Sequence, residues 1–201
     1  MKKRFLNSIK TKIKNKYPNY SNDKIDEIMY GIEGIYLTIT KTIIIFAIAF
    51  LLGIAKELFF LLLAFNFIRL FAFGIHANSS FVCLLFSSII FLGSAFLCKV
   101  LTISSTILYI LYFVVLVIFI LYAPADTVKK PLIKKKKRRT FKILSILILI
   151  VYFCLSLFTK GSTIINYLIF GLMIEAILII PPTYKLFKTP YKNYKTYGLN
   201  T

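Results

Sequence analysis

Long apolar runs, separated by polar and basic stretches, set the pattern of this chain. Six runs are long enough, or nearly so, to cross a bilayer as a helix: Ile35 to Ile54, Leu58 to Phe73, Phe81 to Cys98, Ile103 to Ala123, Phe141 to Phe158 and Ile164 to Ile180. Crossing the hydrocarbon core takes about 20 residues, and fewer where the bilayer thins locally. The pattern predicts an all-α integral membrane protein with about six transmembrane helices.

The N-terminal part combines helical periodicity with a high charge. Apolar residues recur at helical spacing on one face, and lysines occupy the opposite face. The apolar residues are Phe5, Leu6, Ile9, Ile13 and Tyr17. This spacing predicts a basic amphipathic helix at the membrane interface, which Pro18 ends. Ser21 or Asn22 then caps a second helix that leads into the first apolar run. We accordingly divide the chain into amphipathic interfacial helices (1–34), a transmembrane domain (35–180) and a basic tail (181–201).

Positive charge alternates between the connections and predicts the topology. Eight Lys or Arg residues precede the first run and nine lie between Lys129 and Lys142, whereas single lysines follow the first, third and fifth runs. Short cytoplasmic loops carry the excess of Lys and Arg. A multi-pass protein of the cell membrane is therefore predicted, with both termini, the basic connection and the loop after the second run facing the cytoplasm.

Composition agrees with a membrane protein and argues against several other classes. The hydrophobic content of 59% and the mean hydropathy of +0.81 exceed what a soluble domain of 201 residues can bury. The net charge of +19 is segregated between the apolar runs, so we predict no nucleic-acid partner. The three cysteines form no CxxC pair, so we predict no metal site and no cofactor, and we interpret Cys98 and Cys154 as packing residues.

The only histidine of the chain, His76, lies seven residues before Cys83, in the break between the second and third runs. A thiol and an imidazole near a membrane surface suggest a cysteine nucleophile with its general base. In one continuous helix they would lie about 10 Å apart along the axis, too far for a hydrogen bond. The pair therefore requires a helix break, which Gly74 can supply together with Asn78 as the N-cap of the next helix. The alternative is an interfacial histidine beside a cysteine that only packs.

Four charged residues are candidates to support this pair. Arg69 lies within the second run, at a depth where charge is costly, and we hypothesise that it contacts a substrate carboxylate or the developing oxyanion. Candidates to orient His76 are Glu33, Asp126 and Glu175. Glu175 could instead pair with Arg69 inside the membrane, and Asp126 could be an ordinary turn residue.

Arg69, the sequence Gly74-Ile75-His76-Ala77 and Cys83 form a specific combination, which resembles the AgrB family. Members of that family are membrane cysteine endopeptidases that process quorum-sensing propeptides in low-GC Gram-positive bacteria. Two other stretches share the resemblance, which extends from about Asp23 to Pro182: Tyr30-Gly31-Ile32-Glu33 and Tyr122-Ala123-Pro124-Ala125-Asp126. Phe73 departs from the family pattern, because many relatives have a second glycine there.

The resemblance implies a two-step acyl transfer. Cys83, with His76 as general base, would attack a peptide bond of a short AgrD-like propeptide and expel its C-terminal part, leaving a thioester. A thiol of the retained peptide would then close a thiolactone ring, provided that water is kept out. A homo-oligomer, most simply a dimer, is expected. The alternative function is a non-enzymatic transporter or channel for a small peptide, lined by Asn66, Arg69 and Glu175.

The basic run from Lys134 to Arg139 has two interpretations. It anchors the chain to lipid headgroups, or it captures an acidic propeptide tail by charge complementarity. The N-terminal amphipathic helix has the same two alternatives, because it could bind membrane lipid or the amphipathic leader of a propeptide.

Overall fold

The computed structural model describes residues 2–18, 20–75, 80–127, 132–159 and 161–194. Within these ranges the chain forms helices, and an isolated backbone bridge joins Phe73 and Ala125. The helices are α1 (Lys2–Lys16), α2 (Asn22–Leu51), α3 (Ala55–Ala72), α4 (Ser80–Val100), α5 (Ser105–Tyr122), α6 (Lys135–Phe158), α7 (Ile164–Ile179) and α8 (Pro181–Leu186). The predicted all-α membrane fold is confirmed, and each predicted run overlaps one of α2 to α7, although several bounds differ.

The first of two compact units, Met1–Ile48, contains α1 and most of α2. As predicted, α1 ends just before Pro18, and the Ser21 hydroxyl accepts a hydrogen bond from the Lys24 backbone N–H at 3.3 Å. That bond satisfies one free donor at the start of α2. The Lys10 ammonium also lies 2.6 Å from the Asp26 carboxylate. Helix α2 runs without interruption through residue 34, so the proposed boundary between 34 and 35 lies inside one helix.

The second unit, Ala49–Thr201, is built around α7. This helix is buried along most of its length, with α3, α4, α5 and α6 packed against it. Helices α3 and α7 approach closely at Gly171, where a Cβ atom would lie 3.0 Å from the Phe65 backbone nitrogen and 3.1 Å from the Ala64 Cβ. Glycine and alanine therefore allow α3 and α7 to approach more closely than larger residues would.

Polar groups inside the second unit bind to one another, while the outward faces are apolar. The Tyr112 hydroxyl lies 2.7 Å from the Ser156 hydroxyl, and Tyr152 donates a hydrogen bond to the Ala64 carbonyl at 2.9 Å. Cys98 is fully buried, as expected of a packing residue. Cys154 lies exposed on α6, so its interpretation as a packing residue was wrong. Its face of α6 is otherwise apolar, which suits contact with lipid.

By length and composition, four of the described helices can cross a membrane: Asp23–Leu51, Val82–Val100, Ser105–Tyr122 and Lys135–Phe158. Helix α7 is apolar but shorter. Helix α3 spans 18 residues and contains three charged residues, Lys56, Glu57 and Arg69. The two remaining predicted spans, α3 and α7, are therefore the least favourable in isolation, and they pack closely against each other.

Contacts between connections show that the helices of the second unit alternate in direction. At one end, Lys99 donates to the Gly53 carbonyl at 2.9 Å, and the Asn166 side chain donates to the Leu101 carbonyl at 2.7 Å. At the other end, the backbone N–H of Gly74 donates to the Ala125 carbonyl at 2.9 Å. Each helix from α3 to α7 therefore runs from one end of the unit to the other.

The connection before α6 differs from the sequence-based expectation. We expected a basic loop between Lys129 and Lys142, but α6 begins at Lys135, so most of the basic run is helical. Lys and Arg have long unbranched side chains and high helix propensity, and no residue that breaks a helix separates them from the apolar run. The charges therefore line the first turns of a membrane helix.

Candidate active site

The candidate site lies at the break between α3 and α4. Helix α3 ends at Ala72 and α4 begins at Ser80, so the predicted interruption before Cys83 is confirmed. His76 and the expected capping residue Asn78 lie outside the described residues. Cys83 is the fourth residue of α4, is partly exposed, and has its sulfur 4.0 Å from the Ser87 hydroxyl. Cys83 thus lies near the start of the helix that follows the break.

Gly74 lies in the short backbone segment that follows α3 and is closely surrounded there. Its φ angle is +104°, a conformation that glycine adopts freely and that suits the predicted helix break. Its N–H donates to the Ala125 carbonyl, and the next N–H, of Ile75, donates to the Leu178 carbonyl at 3.2 Å. A Cβ atom on Gly74 would lie 3.3 Å from Arg69 Nη1, Glu175 Oε1 and the Leu178 carbonyl oxygen alike. The position therefore requires glycine for its conformation and for its space.

Phe73 also has a positive φ angle, of +65°, with ψ of −122°. This conformation strongly favours glycine, because a Cβ atom clashes with the backbone there. The departure from the family pattern at Phe73 thus falls on a backbone that retains the shape suited to glycine. The Phe73 ring lies 5.1 Å from the ring of Phe141, centroid to centroid.

A buried ion pair between Arg69 and Glu175 supports the backbone around Gly74. Arg69 Nη1 lies 3.0 Å from Glu175 Oε2, and Nη2 donates to the Ile75 carbonyl at 2.8 Å. Glu175 is fully buried, and Arg69 is largely so. The second carboxylate oxygen of Glu175, Oε1, has no hydrogen-bond partner among the described residues. Arg69 therefore joins α3, α7 and the carbonyl of the residue directly before His76, and the hypothesis that Glu175 pairs with Arg69 is confirmed.

Asp126 is buried, and it holds the end of the chain. Its Oδ1 accepts the backbone N–H of Asn193 at 3.1 Å, and its Oδ2 accepts that of Tyr194 at 2.8 Å. Burial raises the pKa of the Asp126 carboxyl, while these hydrogen bonds and the positive charge of Arg138 oppose the shift. Asp126 is thus more than a turn residue, because it fixes a segment that is distant in sequence.

Glu33, the third candidate carboxylate, lies in α2 within the first unit and is half-buried. The described contacts therefore place two of the three candidates, Asp126 and Glu175, in the unit that contains Cys83. Among the described residues, no three His, Cys, Asp or Glu side chains form a group that could hold a metal ion.

Sequence reasoning did not find the role of the C-terminal segment. Tyr184 is almost fully buried, and its hydroxyl donates to the Asp126 carbonyl at 3.0 Å and to the Ala125 carbonyl at 3.3 Å. The guanidinium of Arg138 lies 4.0 Å from the centroid of the Tyr194 ring. The consecutive prolines after α7 signal a change of chain direction there, but nothing in the sequence identifies Asp126 as the partner of residues near position 193.

Comparison with known proteins identifies the family. The model of the family Accessory gene regulator B matches residues 4–179. An AgrB-like protein of Clostridium acetobutylicum is 31% identical over 180 residues, covering 90% of this chain and 86% of the relative. One from Listeria monocytogenes is 28% identical over 85% of this chain and 84% of its own, and one from Clostridium perfringens is 33% identical over 74% and 71%. No solved structure matches the chain. The chain therefore belongs to the accessory gene regulator B family and has a role in the accessory gene regulator system.

Proposed function

We propose that this protein is a membrane-embedded cysteine endopeptidase, which removes the C-terminal part of a short AgrD-like propeptide and promotes closure of a thiolactone. The observation that carries the proposal is the hydrogen bond from Arg69 to the Ile75 carbonyl, 2.8 Å long. It ties the backbone beside the only histidine to a buried ion pair, and Cys83 lies at the start of the next helix. A backbone held this firmly suits a general base more than an ordinary surface loop.

The proposed reaction proceeds in two steps. In the first step, the Cys83 thiolate attacks the scissile carbonyl, and the imidazolium of His76 returns a proton to the leaving amine. In the second step, a thiol of the bound peptide gives its proton to His76 and attacks the thioester, which releases the Cys83 thiolate. One thioester replaces another, so this step is nearly isoenergetic and succeeds only if water is excluded.

Glu175 is the carboxylate that best fits a supporting role. Both oxygens of Asp126 accept backbone N–H groups, whereas Glu175 Oε1 is unpartnered among the described residues. We propose that Arg69 acts as a positioning residue, since two of its N–H groups already bind Glu175 and the Ile75 carbonyl. Arg69→Ala should therefore lower processing even for propeptides that lack a carboxylate near the cleaved bond.

The transporter alternative fits the described residues less well. It requires Asn66, Arg69 and Glu175 to line one path. Asn66 is exposed on α3, whereas Glu175 is fully buried against Arg69, so the three do not share a polar surface.

We further propose that the end of the second unit that holds the site faces the cytoplasm, where a ribosomally made propeptide is present. The first turns of α6, which carry the basic run, lie at this same end, because Arg138 contacts Tyr194, which is bound to Asp126. Lys135, Lys136 and Lys137 could bind lipid headgroups or an acidic propeptide tail. Replacing the three lysines with Gln distinguishes these two roles. If the lysines bind the propeptide tail, processing of the propeptide should become weaker and less salt-sensitive. If they bind lipid headgroups, processing of the propeptide by the membrane-bound protein should be unchanged. The dimer remains a prediction.

The decisive experiment is coexpression with a short peptide from the neighbouring gene, followed by mass spectrometry of that peptide. Wild type should release the C-terminal fragment, whereas Cys83→Ala and His76→Ala should not. Cys83→Ser should be strongly impaired or should accumulate an ester. Cys154→Ala is the matched control, because this cysteine lies exposed on a different helix. Normal cleavage by Cys83→Ala would exclude Cys83 as the nucleophile and overturn the proposal.

A further inference from the structure

We propose that the tail segment, defined as residues 181–194, is a positioning element of the active site, which sets the Gly74 backbone relative to the Cys83 helix. This inference rests on the proposed function. The family model ends at residue 179, so the tail segment lies outside the region that defines the family.

The tail segment folds back onto the end of the unit that holds the site. Helix α7 ends before the two prolines, and α8 (Pro181–Leu186) follows at once. Tyr184 is 1% exposed and donates its hydroxyl hydrogen towards the carbonyls of Ala125 and Asp126. Its ring also lies 5.2 Å from the ring of Tyr191. The tail segment is therefore part of the packed structure as far as the described residues extend.

Asp126 fixes the far end of the tail segment. Its two oxygens accept consecutive backbone N–H groups, of Asn193 and Tyr194. Asp126 is 3% exposed and Asn193 is 4% exposed, so water competes little for these bonds. Hydrogen bonds to a carboxylate are stronger than those between neutral groups, and they are stronger still away from water. This carboxylate and the two N–H groups form the Asp126 clasp.

The Asp126 clasp connects directly to the backbone before His76. Ala125, the residue before Asp126, donates its N–H to the Ala72 carbonyl at 2.9 Å and accepts the Gly74 N–H at 2.9 Å. These two bonds form a backbone bridge between Phe73 and Ala125, which belong to separate segments of the chain. A shift of Asp126 therefore moves the atoms to which Gly74 is bonded.

The tail segment also contacts the helix of the nucleophile. The ring of Phe187 lies 5.2 Å from the ring of Phe86, in an edge-to-face arrangement. Phe86 follows Cys83 by three residues in α4, so both side chains lie on the same face of that helix. One segment thus touches α4 beside Cys83 and, through the Asp126 clasp, the backbone before His76.

This connection matters because the two halves of the site, Cys83 in α4 and the backbone after α3, belong to separate parts of the fold. Catalytic groups must be held within about 0.5 Å of the productive geometry, and an error of about 1 Å can cost a hundredfold in rate. The hydrogen bonds of Arg69 to Glu175 and to the Ile75 carbonyl fix the Gly74 backbone to α3 and α7, and neither bond involves α4. The tail segment supplies a contact on that side.

The test uses full-length variants in detergent or nanodiscs, with the propeptide as substrate. Asp126→Asn removes one acceptor and turns an amide donor towards an N–H group. Tyr194→Pro removes one N–H of the clasp, and Tyr194→Ala, which keeps that N–H but loses the ring, is its matched control. Phe187→Ala tests the contact with α4, and Leu186→Ala is its control, because Leu186 is 68% exposed.

Two readouts are required for each variant. The first is the rate of acyl-enzyme formation, resolved into kcat and KM. The second is hydrogen exchange of the amides around Gly74, which does not depend on activity. Asp126→Asn and Tyr194→Pro should lower kcat between about tenfold and about a hundredfold with little change in KM, and should speed exchange at Gly74. Phe187→Ala should lower kcat without changing that exchange.

The outcomes separate this proposal from the proposed function. If wild type cleaves no propeptide, the peptidase proposal fails, and faster Gly74 exchange in Asp126→Asn still supports the mechanical connection. If wild type cleaves and the clasp variants cleave equally well, the tail segment is not a positioning element. Slower cleavage with unchanged Gly74 exchange would also overturn the connection through Asp126. Equal loss in Tyr194→Ala and Tyr194→Pro would assign the effect to the ring and overturn the role of the clasp.

Discussion

At the scale of single residues, the backbone after α3 depends on two consecutive left-handed positions. Phe73 and Gly74 have φ angles of +65° and +104°. Glycine adopts such angles freely, whereas a residue with a Cβ atom is strained by roughly 1–3 kcal/mol. The strain at Phe73 persists because the surrounding bonds, from Gly74 to Ala125 and from Ile75 to Leu178, hold the backbone in this shape.

Phe73→Gly and Phe73→Ala should therefore reverse the usual order of stability. Both variants lose the ring contact with Phe141, and only glycine relieves the strain. We expect Phe73→Gly to be more stable than Phe73→Ala by about 1 kcal/mol, although glycine is the less stable of the two in regular structure. Unfolding in mild detergent, followed by circular dichroism, measures the difference. An alanine variant as stable as the glycine variant would contradict a strained Phe73.

Gly74→Ala should destabilise the protein. Alanine would be strained at the positive φ angle of this position, and its methyl group would lie 3.3 Å from Arg69 Nη1 and Glu175 Oε1. We expect a loss of more than about 1 kcal/mol in unfolding free energy, together with loss of propeptide cleavage. Gly93→Ala, in the interior of α4 with nothing within 4 Å of the new Cβ, is the control and should stabilise by up to about 1 kcal/mol. Equal effects at the two glycines would refute the steric argument.

Sequence reasoning reached some of these residues and not others, for a physical reason. Gly74 and Ser21 were predictable because a single residue type carries the signal for a left-handed turn or a helix cap. Phe73 was not, since its own preference opposes the conformation that its neighbours impose. The partners of Asp126 were not predictable either. They are backbone N–H groups that lie 67 and 68 residues away, and nothing in the sequence identifies them as partners of this carboxylate.

At the scale of elements, the ion pair explains how the two weakest membrane helices fit the bundle. Helix α3 contains Arg69 and the short helix α7 contains Glu175, and each charge compensates the other inside the protein. Hydrophobic runs predicted all the helices of the second unit except α8. The runs could not show which pair packs together, because that depends on contacts between residues far apart in the chain, such as Arg69 and Glu175, which are 106 residues apart.

A double-mutant cycle should show strong coupling between Arg69 and Glu175. Arg69→Met leaves a buried carboxylate unpaired and should cost about 3–5 kcal/mol of unfolding free energy, as should Glu175→Leu. The double variant should cost much less than the sum of the two, because no charge is left unpaired. Unfolding titrations of the four proteins give the coupling energy. The Lys10 and Asp26 pair, which is largely exposed, is the control and should couple by less than about 1 kcal/mol. Additive effects at Arg69 and Glu175 would contradict the described pairing.

At the scale of the whole molecule, the second unit has two ends of different character. The end that holds Gly74, Asp126 and Cys83 also holds the basic start of α6 and the tail segment. The other end holds the short connections near Gly53 and Leu101, which contain few cations. Because α3 to α7 alternate in direction, fixing the orientation of one helix fixes the location of the site. The charge pattern predicts that the site end is cytoplasmic.

Single-cysteine labelling tests this orientation. In a chain whose native cysteines are replaced by alanine, Thr102→Cys and Thr163→Cys would mark the end opposite the site, and Lys136→Cys and Lys185→Cys would mark the site end; all four positions are exposed. A membrane-impermeant maleimide added to intact cells should label the first pair only. The second pair should react once the membrane is opened, which also serves as the control for reactivity. The reverse pattern would place Cys83 outside the cell, where a propeptide made in the cytoplasm reaches it only after export, and would contradict the proposed cytoplasmic orientation of the site. Labelling of one member from each pair would instead contradict the alternation of the helices, because both members of a pair lie at the same end of the bundle.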